Sequence, residues 1–335
     1  MDSVPVELRF HNSAAWGRAD CLNMQIDSPP TSPNSAPHFL TAPASVLIAG
    51  CGYTGLRAAR FWRNCGAAVA AVTRSAERAN LLAKEGLQPL VLDLGCQAGW
   101  PDLPRTELVV WCVGYDRSGG YSREAVWLDG LQRFLKQLPE TENPRRILLT
   151  SSTSVYGDCG GGDVDEQTPP RPEQEGGRAC LAAEGVLEDF AGSTGTACVV
   201  LRLAGIYGPG RLLRRLEDLR AQVPIAADPD SWLNLVHVDD IVRSLDFCAR
   251  HPNPPPVMNV AAEATATRRG YYQTLAELAG TPGPVFGMSD SSRGVARGGN
   301  RRITSICRKP LGLTFAYENC RAGLQQALTT EAAAE

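Results

Sequence analysis

Three glycines at fixed spacing, Gly50, Gly52 and Gly55, follow directly on the apolar run at 45–49. The G-x-G-x-x-G pattern alone is a weak signal. Between a predicted strand and a predicted helix, however, it is typical of a turn that holds a pyrophosphate. The first glycine permits the tight turn, the second lets phosphates approach the backbone, and the third lets the helix pack on the strand. The amides at the helix N-terminus supply donors and a partial positive charge.

The residues after the second predicted strand, 67–73, indicate which dinucleotide fits. A chain specific for NAD usually has an acidic residue there that binds the ribose 2′-hydroxyl. This chain has Arg74, and its first carboxylate is Glu77. Arg74 can pair with a 2′-phosphate, and Thr73 or Ser75 can donate to it. The sequence therefore favours NADP over NAD, with Arg74 as an ordinary surface residue as the alternative.

Asp93 follows the third predicted strand at 89–92, where it can either meet the adenine ring or cap a turn. It completes the set of residues that we expect to contact the cofactor. The predicted cofactor-binding residues are Gly50, Gly52, Tyr53, Thr54, Gly55, Thr73, Arg74 and Asp93.

Further motifs lie at 150–157 (TSSTSVYG), 201–211 (LRLAGIYGPGR), 234–241 (NLVHVDDI) and 258–261 (MNVA). Together with the glycine pattern, they resemble the extended short-chain dehydrogenases/reductases, the NAD-dependent epimerase/dehydratase family. The resemblance extends over about residues 45–328. It implies a seven-stranded Rossmann sheet with a small carboxyl-terminal substrate region. It also implies a Ser/Thr, Tyr and Lys constellation, in which Ser152 takes the serine position.

The Tyr-x-x-x-Lys part of that constellation is missing. The family's LAAE-like helical stretch is present at 181–184, but Gly176 stands at the tyrosine position and Cys180 at the lysine position. Hydride transfer to or from a carbinol requires a proton to move as well, and glycine cannot supply one. Cys180 has no evident cationic neighbour beyond Arg178 to lower its pKa. The sequence resembles the atypical members of the family that have lost the tyrosine.

A relocated phenol could replace the missing tyrosine. Tyr115 and Tyr121 follow the fourth predicted strand, 108–113, at the sheet edge where a substrate would bind. The alternative is that these rings only cover a glycine-rich loop. The candidate catalytic residues are Ser152 and Tyr121.

Alternating strands and helices predict an α/β fold with a doubly wound parallel sheet. Together with the resemblance, which implies the number of strands and the substrate region, the predicted fold class is α/β, a doubly wound parallel Rossmann sheet of about seven strands with a small C-terminal substrate region. The predicted strands are 45–49, 67–73, 89–92, 108–113, 146–150 and 198–203, and the predicted helices are 55–64, 76–85, 122–138 and 178–191. The predicted domains are a disordered extension at 1–44, a dinucleotide-binding domain at 45–210 with a return segment at about 234–262, and a substrate region at 211–233 and 263–330.

Composition narrows the class of protein. The chain has 335 residues and a net charge of −3, which argues against a nucleic-acid partner. No apolar run approaches the ~20 residues that cross a bilayer. The eleven cysteines lack paired spacing and read as reduced thiols, and the four histidines share no metal-ligand spacing. We expect a cytoplasmic protein without a metal. A plastid or other organelle is the lesser alternative, and a homodimer is left open.

A basic stretch at 291–309 carries six cationic residues without an acid. Guanidinium groups there would suit an anionic substrate such as a nucleotide-sugar diphosphate, and a solvated loop is the alternative. The predicted function is NADP binding with oxidoreductase or epimerase/dehydratase-type activity on a small polar or nucleotide-sugar-like substrate. The competing hypothesis is a non-catalytic redox sensor or scaffold that binds the dinucleotide.

Overall fold

A parallel sheet of seven strands is the centre of the computed structural model, which describes residues 39–96, 99–139, 143–287 and 299–332. The strand order is β3-β2-β1-β4-β5-β6-β7, and every pairing is parallel. Since the order reverses between β1 and β4, a crevice opens at the carboxyl ends of these two strands. The strands are β1 Ser45–Ala49, β2 Ala68–Thr73, β3 Gln88–Val91, β4 Leu108–Trp111, β5 Arg146–Ser152, β6 Ala197–Leu203 and β7 Val257–Val260.

Helices cover both faces of the sheet. Along β1, Val46 and Ile48 belong to the core on one face, and Leu47 and Ala49 belong to the core on the other. Burial on both faces explains why the strands read as continuous apolar runs rather than alternating ones. The helices are α1 Tyr53–Asn64, α2 Ala76–Lys84, α3 Gly130–Lys136, α4 Glu175–Thr194, α5 Leu213–Arg220, α6 Val238–Arg250, α7 Arg268–Ala279 and α8 Cys320–Ala332. A wider π-type turn, Ala125–Asp129, leads into α3, and short 3₁₀ turns occupy Arg117–Gly119 and Thr153–Tyr156.

Short strand pairs build a region beside the carboxyl edge of the sheet. A third core cluster, which includes Tyr207, Leu212, Tyr271, Leu275 and Leu324, fills this region. The pairs are Asp163–Val164 with Arg302–Ile303, Gly205–Tyr207 with Leu235–His237, Ile225–Ala226 with Phe286–Gly287, and Trp232–Leu233 with Ala266–Thr267.

The predicted fold class is confirmed, and the element ends move by a few residues. The strand predicted at 108–113 ends at Trp111, and the helix predicted at 55–64 begins at Tyr53. The predicted return segment at 234–262 contains the seventh strand of the sheet. The predicted domain boundaries at 210, 233 and 263 stay predictions.

The predicted N-terminal extension, 1–44, lies outside the described residues as far as residue 38. Its last residues are described and contact α6. The Phe39 ring packs edge-on against Phe247 and His251, and the Leu40 amide donates to the Arg250 carbonyl at 2.8 Å.

The ten cysteines within the described ranges are free thiols. In the same ranges, no helix is long and apolar enough to span a bilayer.

Candidate functional site

The glycine turn between β1 and α1 is shaped by close backbone contacts. Gly50 has φ +87°, and a Cβ added there would lie 2.7 Å from the Cys112 carbonyl oxygen. A Cβ on Gly55 would overlap the Gly50 carbonyl. Gly52, by contrast, has open space on its side-chain side and provides no side-chain cap for α1. The turn is thus packed against the protein at Gly50 and Gly55 and open at Gly52, where phosphates would approach the helix amides.

Two cavities flank the glycine turn and share Gly52, Val113 and Gly114. The first has a volume of about 440 Å³, and we call it the Ser152 cavity after one of its lining residues. The second has about 490 Å³, and we call it the Arg74 cavity. They lie on opposite sides of the strand-order reversal, which is where open α/β sheets bind dinucleotides. The residues present therefore fit a dinucleotide that extends across both.

The Arg74 cavity contains the residues predicted to choose between NADP and NAD. Thr73, Arg74 and Asp93 all line it. The guanidinium of Arg74 lies 2.5 Å from the carboxylate of Asp116, which also accepts hydrogen bonds from the amide and hydroxyl of Ser118. The Ser118 and Arg74 bonds lower the pKa of Asp116 to about 2. The residues after β2 indicated the arginine, but no local pattern indicated Asp116, the acid that partly balances its charge.

Asp93 and Tyr121 meet at the carboxyl end of β3. The Asp93 side chain accepts from the Gly95 amide at 2.9 Å, so it caps a turn while also lining the Arg74 cavity. The Tyr121 ring packs against Gly95, and the negative charge of Asp93 raises the pKa of its phenol. Ser152 ends β5, on the other side of the strand-order reversal. This placement gives Tyr121 no support as the relocated acid–base group.

The Ser152 cavity is lined by β5 and α4. Ser152 Oγ accepts from the Ser154 amide at 3.1 Å and caps a short 3₁₀ turn. Cys180 and Ala183 face the cavity from α4. Burial, and then the charge of Glu184, raise the pKa of Cys180 to about 12. The thiol is therefore neutral near pH 7 and cannot supply the positive charge of the lysine that the resemblance implies at this position.

Arg123 occupies the space next to Gly176. A Cβ added at Gly176 would lie 3.6 Å from Arg123 Nε. Arg123 also acts electrostatically on Cys180, whereas Arg178 donates to the Glu173 carbonyl. The cationic neighbour of Cys180 is therefore Arg123, not the sequence neighbour Arg178. Its position in the first turn of the helix predicted at 122–138 carried no signal of this contact.

Two further guanidinium groups stack on Tyr53 at the rim of the Ser152 cavity. Arg57 lies 3.9 Å from the ring centroid of Tyr53, and Arg211 lies 5.2 Å from it. The Tyr53 phenol and Arg57 both donate to the Pro209 carbonyl, at 2.9 and 3.0 Å. Arg211 lines the cavity itself. This rim is suited to an anionic ligand.

A buried hydrogen-bond network supports the wall of the same cavity. Ser151 Oγ donates to Glu184 at 2.5 Å, and Arg202 pairs with Glu184 at 2.7 Å. Arg202 also donates to the Tyr156 hydroxyl, which in turn donates to Asn259. Burial raises the pKa of Tyr156 to about 12, so this phenol stays protonated. The network connects β5, α4, β6 and β7.

The described arginines of the basic stretch bind other residues of the protein. Arg301 donates to the Gly157 carbonyl, Arg302 pairs with Asp163, and Arg308 pairs with two glutamates. Arg293 and Arg297 lie outside the described residues. The expectation that the described arginines contact an anionic substrate therefore finds no support, because proximity along the chain did not reveal their acidic and carbonyl partners.

Within the described residues, no group of three or more His, Cys, Asp and Glu side chains is arranged to hold a metal ion.

Comparisons with known proteins agree with this geometry. The model of the NAD dependent epimerase/dehydratase family matches residues 46–261, and the chain belongs to that family. It is similar to protein YeeZ of Escherichia coli strain K12, with 36% identity over 173 residues, 51% of this chain and 58% of that protein. The chain thus matches little more than half the length of this relative.

Solved structures share the fold over most of the chain. A functionally unknown protein from Silicibacter pomeroyi has a TM-score of 0.69 and 26% identity, covering 87% of this chain and 99% of its own. A UDP-glucuronic acid 4-epimerase from Bacillus cereus, in complex with UDP-glucuronic acid and NAD, has a TM-score of 0.67 and 15% identity, covering 85% and 99%. The latter similarity is evidence for the fold alone.

Proposed function

We propose that this chain binds NADP(H) across the two cavities and acts on a small anionic, nucleotide-sugar-like substrate in the Ser152 cavity. The activity would be of the oxidoreductase or epimerase/dehydratase type. The observation that carries the cofactor proposal is the open face of Gly52 between two cavities at the strand-order reversal. Bound NADP would supply a hydride acceptor, or NADPH a hydride donor.

Separate groups of residues would bind the cofactor and the substrate. The backbone from Gly50 to Gly55, including the amides of Tyr53 and Thr54, would hold the pyrophosphate. Arg74 and Thr73 would contact a 2′-phosphate, and the turn of Asp93 would border the adenine. Ser152 would hydrogen-bond an oxygen of the substrate. The rim guanidinium of Arg211 would attract the anionic part of the substrate.

Among the described residues that line the Ser152 cavity, no acid–base group is evident for the proton that accompanies hydride transfer. Tyr53 is the tyrosine among the described residues that lines the Ser152 cavity, and its phenol donates to the Pro209 carbonyl. Cys180 is held neutral with a high pKa, and Gly176 has no side chain. This observation favours a second candidate function, a non-catalytic sensor or scaffold in which NADP occupancy sets the conformation.

One experiment separates the two candidates. Wild type, Ser152→Ala and Tyr121→Phe are titrated with NADPH and assayed for NADPH oxidation and nucleotide-sugar conversion. Turnover that is lost in Ser152→Ala, with unchanged NADPH binding, supports an enzyme. Tyr121→Phe is expected to leave that turnover unchanged. Firm NADPH binding without turnover on any substrate supports the sensor, and no binding of NADPH or NADH overturns both.

A further inference from the structure

We propose that Arg123 is a specificity-determining residue of the Ser152 cavity and recognises a carboxylate on the substrate. The inference rests on the proposed function, because it names a chemical feature of the substrate at that same site. It assigns a role to a side chain that neither the glycine pattern nor the family motifs include.

Arg123 lies against the first turn of α4. Gly176 precedes Cys180 by four residues and Ala183 by seven, so the three lie on one face of the helix. Cys180 and Ala183 line the Ser152 cavity. A side chain at Gly176 would therefore extend over the same cavity. Arg123 lies beside that place, with its Nε 3.6 Å and its Cδ 3.9 Å from the position of a Cβ. It is next to the cavity and not among the residues that line it.

An aromatic stack holds the guanidinium of Arg123 in one orientation. Arg123 lies 4.3 Å from the ring centroid of Tyr115, which is packed edge-on against Trp127. The Trp127 indole donates to the Val113 carbonyl at 2.9 Å, and the Tyr115 hydroxyl donates to the Tyr121 carbonyl at 2.9 Å. Trp127 itself lines the Ser152 cavity. A planar cation that is stacked in this way loses little freedom when it binds a ligand.

The present hydrogen-bond partner of Arg123 indicates that its ligand is a carboxylate. Arg123 Nη1 already donates to the carboxylate of Glu175 at 2.9 Å. The Glu175 side chain is 63% exposed, whereas that of Arg123 is 22% exposed. Because Glu175 is largely exposed, solvent screens its attraction to Arg123, and a substrate carboxylate can displace it. The guanidinium has five donors in a planar fork that matches a carboxylate.

Arg123 does not take over the acid–base role of the missing tyrosine, because a guanidinium stays protonated in proteins. Its contribution is to binding and orientation. A substrate with a carboxylate beside its reacting carbon would be held at two points, by Arg123 and by Ser152. A neutral analogue would lose the first of these contacts.

The test compares two probes that differ in one carboxylate, UDP-glucuronic acid and UDP-glucose. Both are titrated by calorimetry into the full chain saturated with NADP⁺. We expect wild type to bind UDP-glucuronic acid about tenfold more tightly than UDP-glucose, as expected of one partly exposed charge-assisted contact. Arg123→Gln should make the two affinities equal, and Arg123→Lys should keep part of the difference.

Glu175→Gln is the matched variant, because it removes the internal competitor and leaves Arg123 in place. It should strengthen binding of UDP-glucuronic acid and leave binding of UDP-glucose unchanged. The NADPH affinity and melting temperature of each variant report on folding. Equal affinities of wild type for the two probes, or an unchanged preference in Arg123→Gln, overturn the inference alone. Binding of neither probe overturns the nucleotide-sugar part of the proposed function and the inference with it.

Discussion

Replacing Arg74 with alanine is expected to weaken NADPH binding about tenfold and to leave NADH binding unchanged. The two cofactors differ only in the 2′-phosphate, and Arg74 lines the cavity in which that phosphate would lie. The phosphate would meet a guanidinium in a region that also contains the donors of Thr73 and Ser75. The substitution removes the charge and keeps the two neighbouring hydroxyls.

The size of the effect follows from the exposure of the side chain and from its neighbour. A hydrogen bond to a charged group contributes about 1.5–3 kcal/mol, and 1.4 kcal/mol corresponds to tenfold in affinity. The Arg74 side chain is 48% exposed, so screening by solvent places its contribution at the lower end of that range. Asp116 competes with the phosphate for the same guanidinium and reduces the contribution further. A hundredfold loss would therefore be too large for this geometry.

The assay is a fluorescence titration of wild type, Arg74→Ala and Asp116→Asn with both cofactors. Asp116→Asn should strengthen NADPH binding without changing NADH binding, because it removes the competing charge. The pKa of Asp116 is about 2, so its carboxylate is ionised at both pH 6 and pH 8, and the effect should be present at both. Equal affinities of wild type for the two cofactors, or an unchanged NADPH affinity in Arg74→Ala, would refute the reasoning.

Gly50→Ala should lower both the melting temperature and NADPH affinity, since it combines positive φ with a backbone clash, whereas Gly52→Ala should mainly lower NADPH affinity. A larger loss of melting temperature in Gly52→Ala than in Gly50→Ala would contradict this assignment. Arg202→Met should lower the free energy of unfolding by about 3–5 kcal/mol, because it leaves the buried carboxylate of Glu184 unpaired. Scanning calorimetry should then find a melting temperature lower by on the order of 10 °C. An unchanged transition would show that the pair contributes nothing. Iodoacetamide at pH 8 should modify the exposed Cys65 quickly and Cys180 slowly. The reason is that the Cys180 pKa of about 12 leaves little thiolate at pH 8. Peptide mapping measures both rates, and equal rates would contradict the high pKa.

The candidate site divides into parts that local sequence could reveal and parts that it could not. Gly50, Gly52 and Gly55 were recognisable because their function depends on spacing within one turn, and Arg74 because it directly follows a strand. Ser152 was recognisable within a motif of eight consecutive residues, and the structure places it at the end of β5, two residues beyond the predicted end of that strand. The assignment of roles to these residues remains a prediction for the experiments above.

The described cations of the basic stretch show where local reasoning failed. Residues 291–309 form one positively charged segment in the sequence. In the structure, however, Arg302 pairs with Asp163, and Arg308 pairs with Glu263 and Glu318. These acids lie elsewhere in the chain, so a count of charges within the segment could not include them. The sequence showed the positive charge of the segment but not that Arg302 and Arg308 are paired with acids.

The sequence by itself determined the doubly wound α/β fold, because buried parallel strands need continuous apolar runs and the intervening helices have their own period. Those runs gave six strands, and the seventh was expected only from the family resemblance. It also predicted the loss of the family's tyrosine and lysine, since Gly176 and Cys180 stand at the positions expected for them. Only the tertiary structure decided what occupies the space at Gly176. Arg123 reaches it from a segment about fifty residues earlier, and it does so because the loop after β4 and the start of α4 meet at the same edge of the sheet. Such contacts depend on how the layers pack, and no local pattern of residues encodes them.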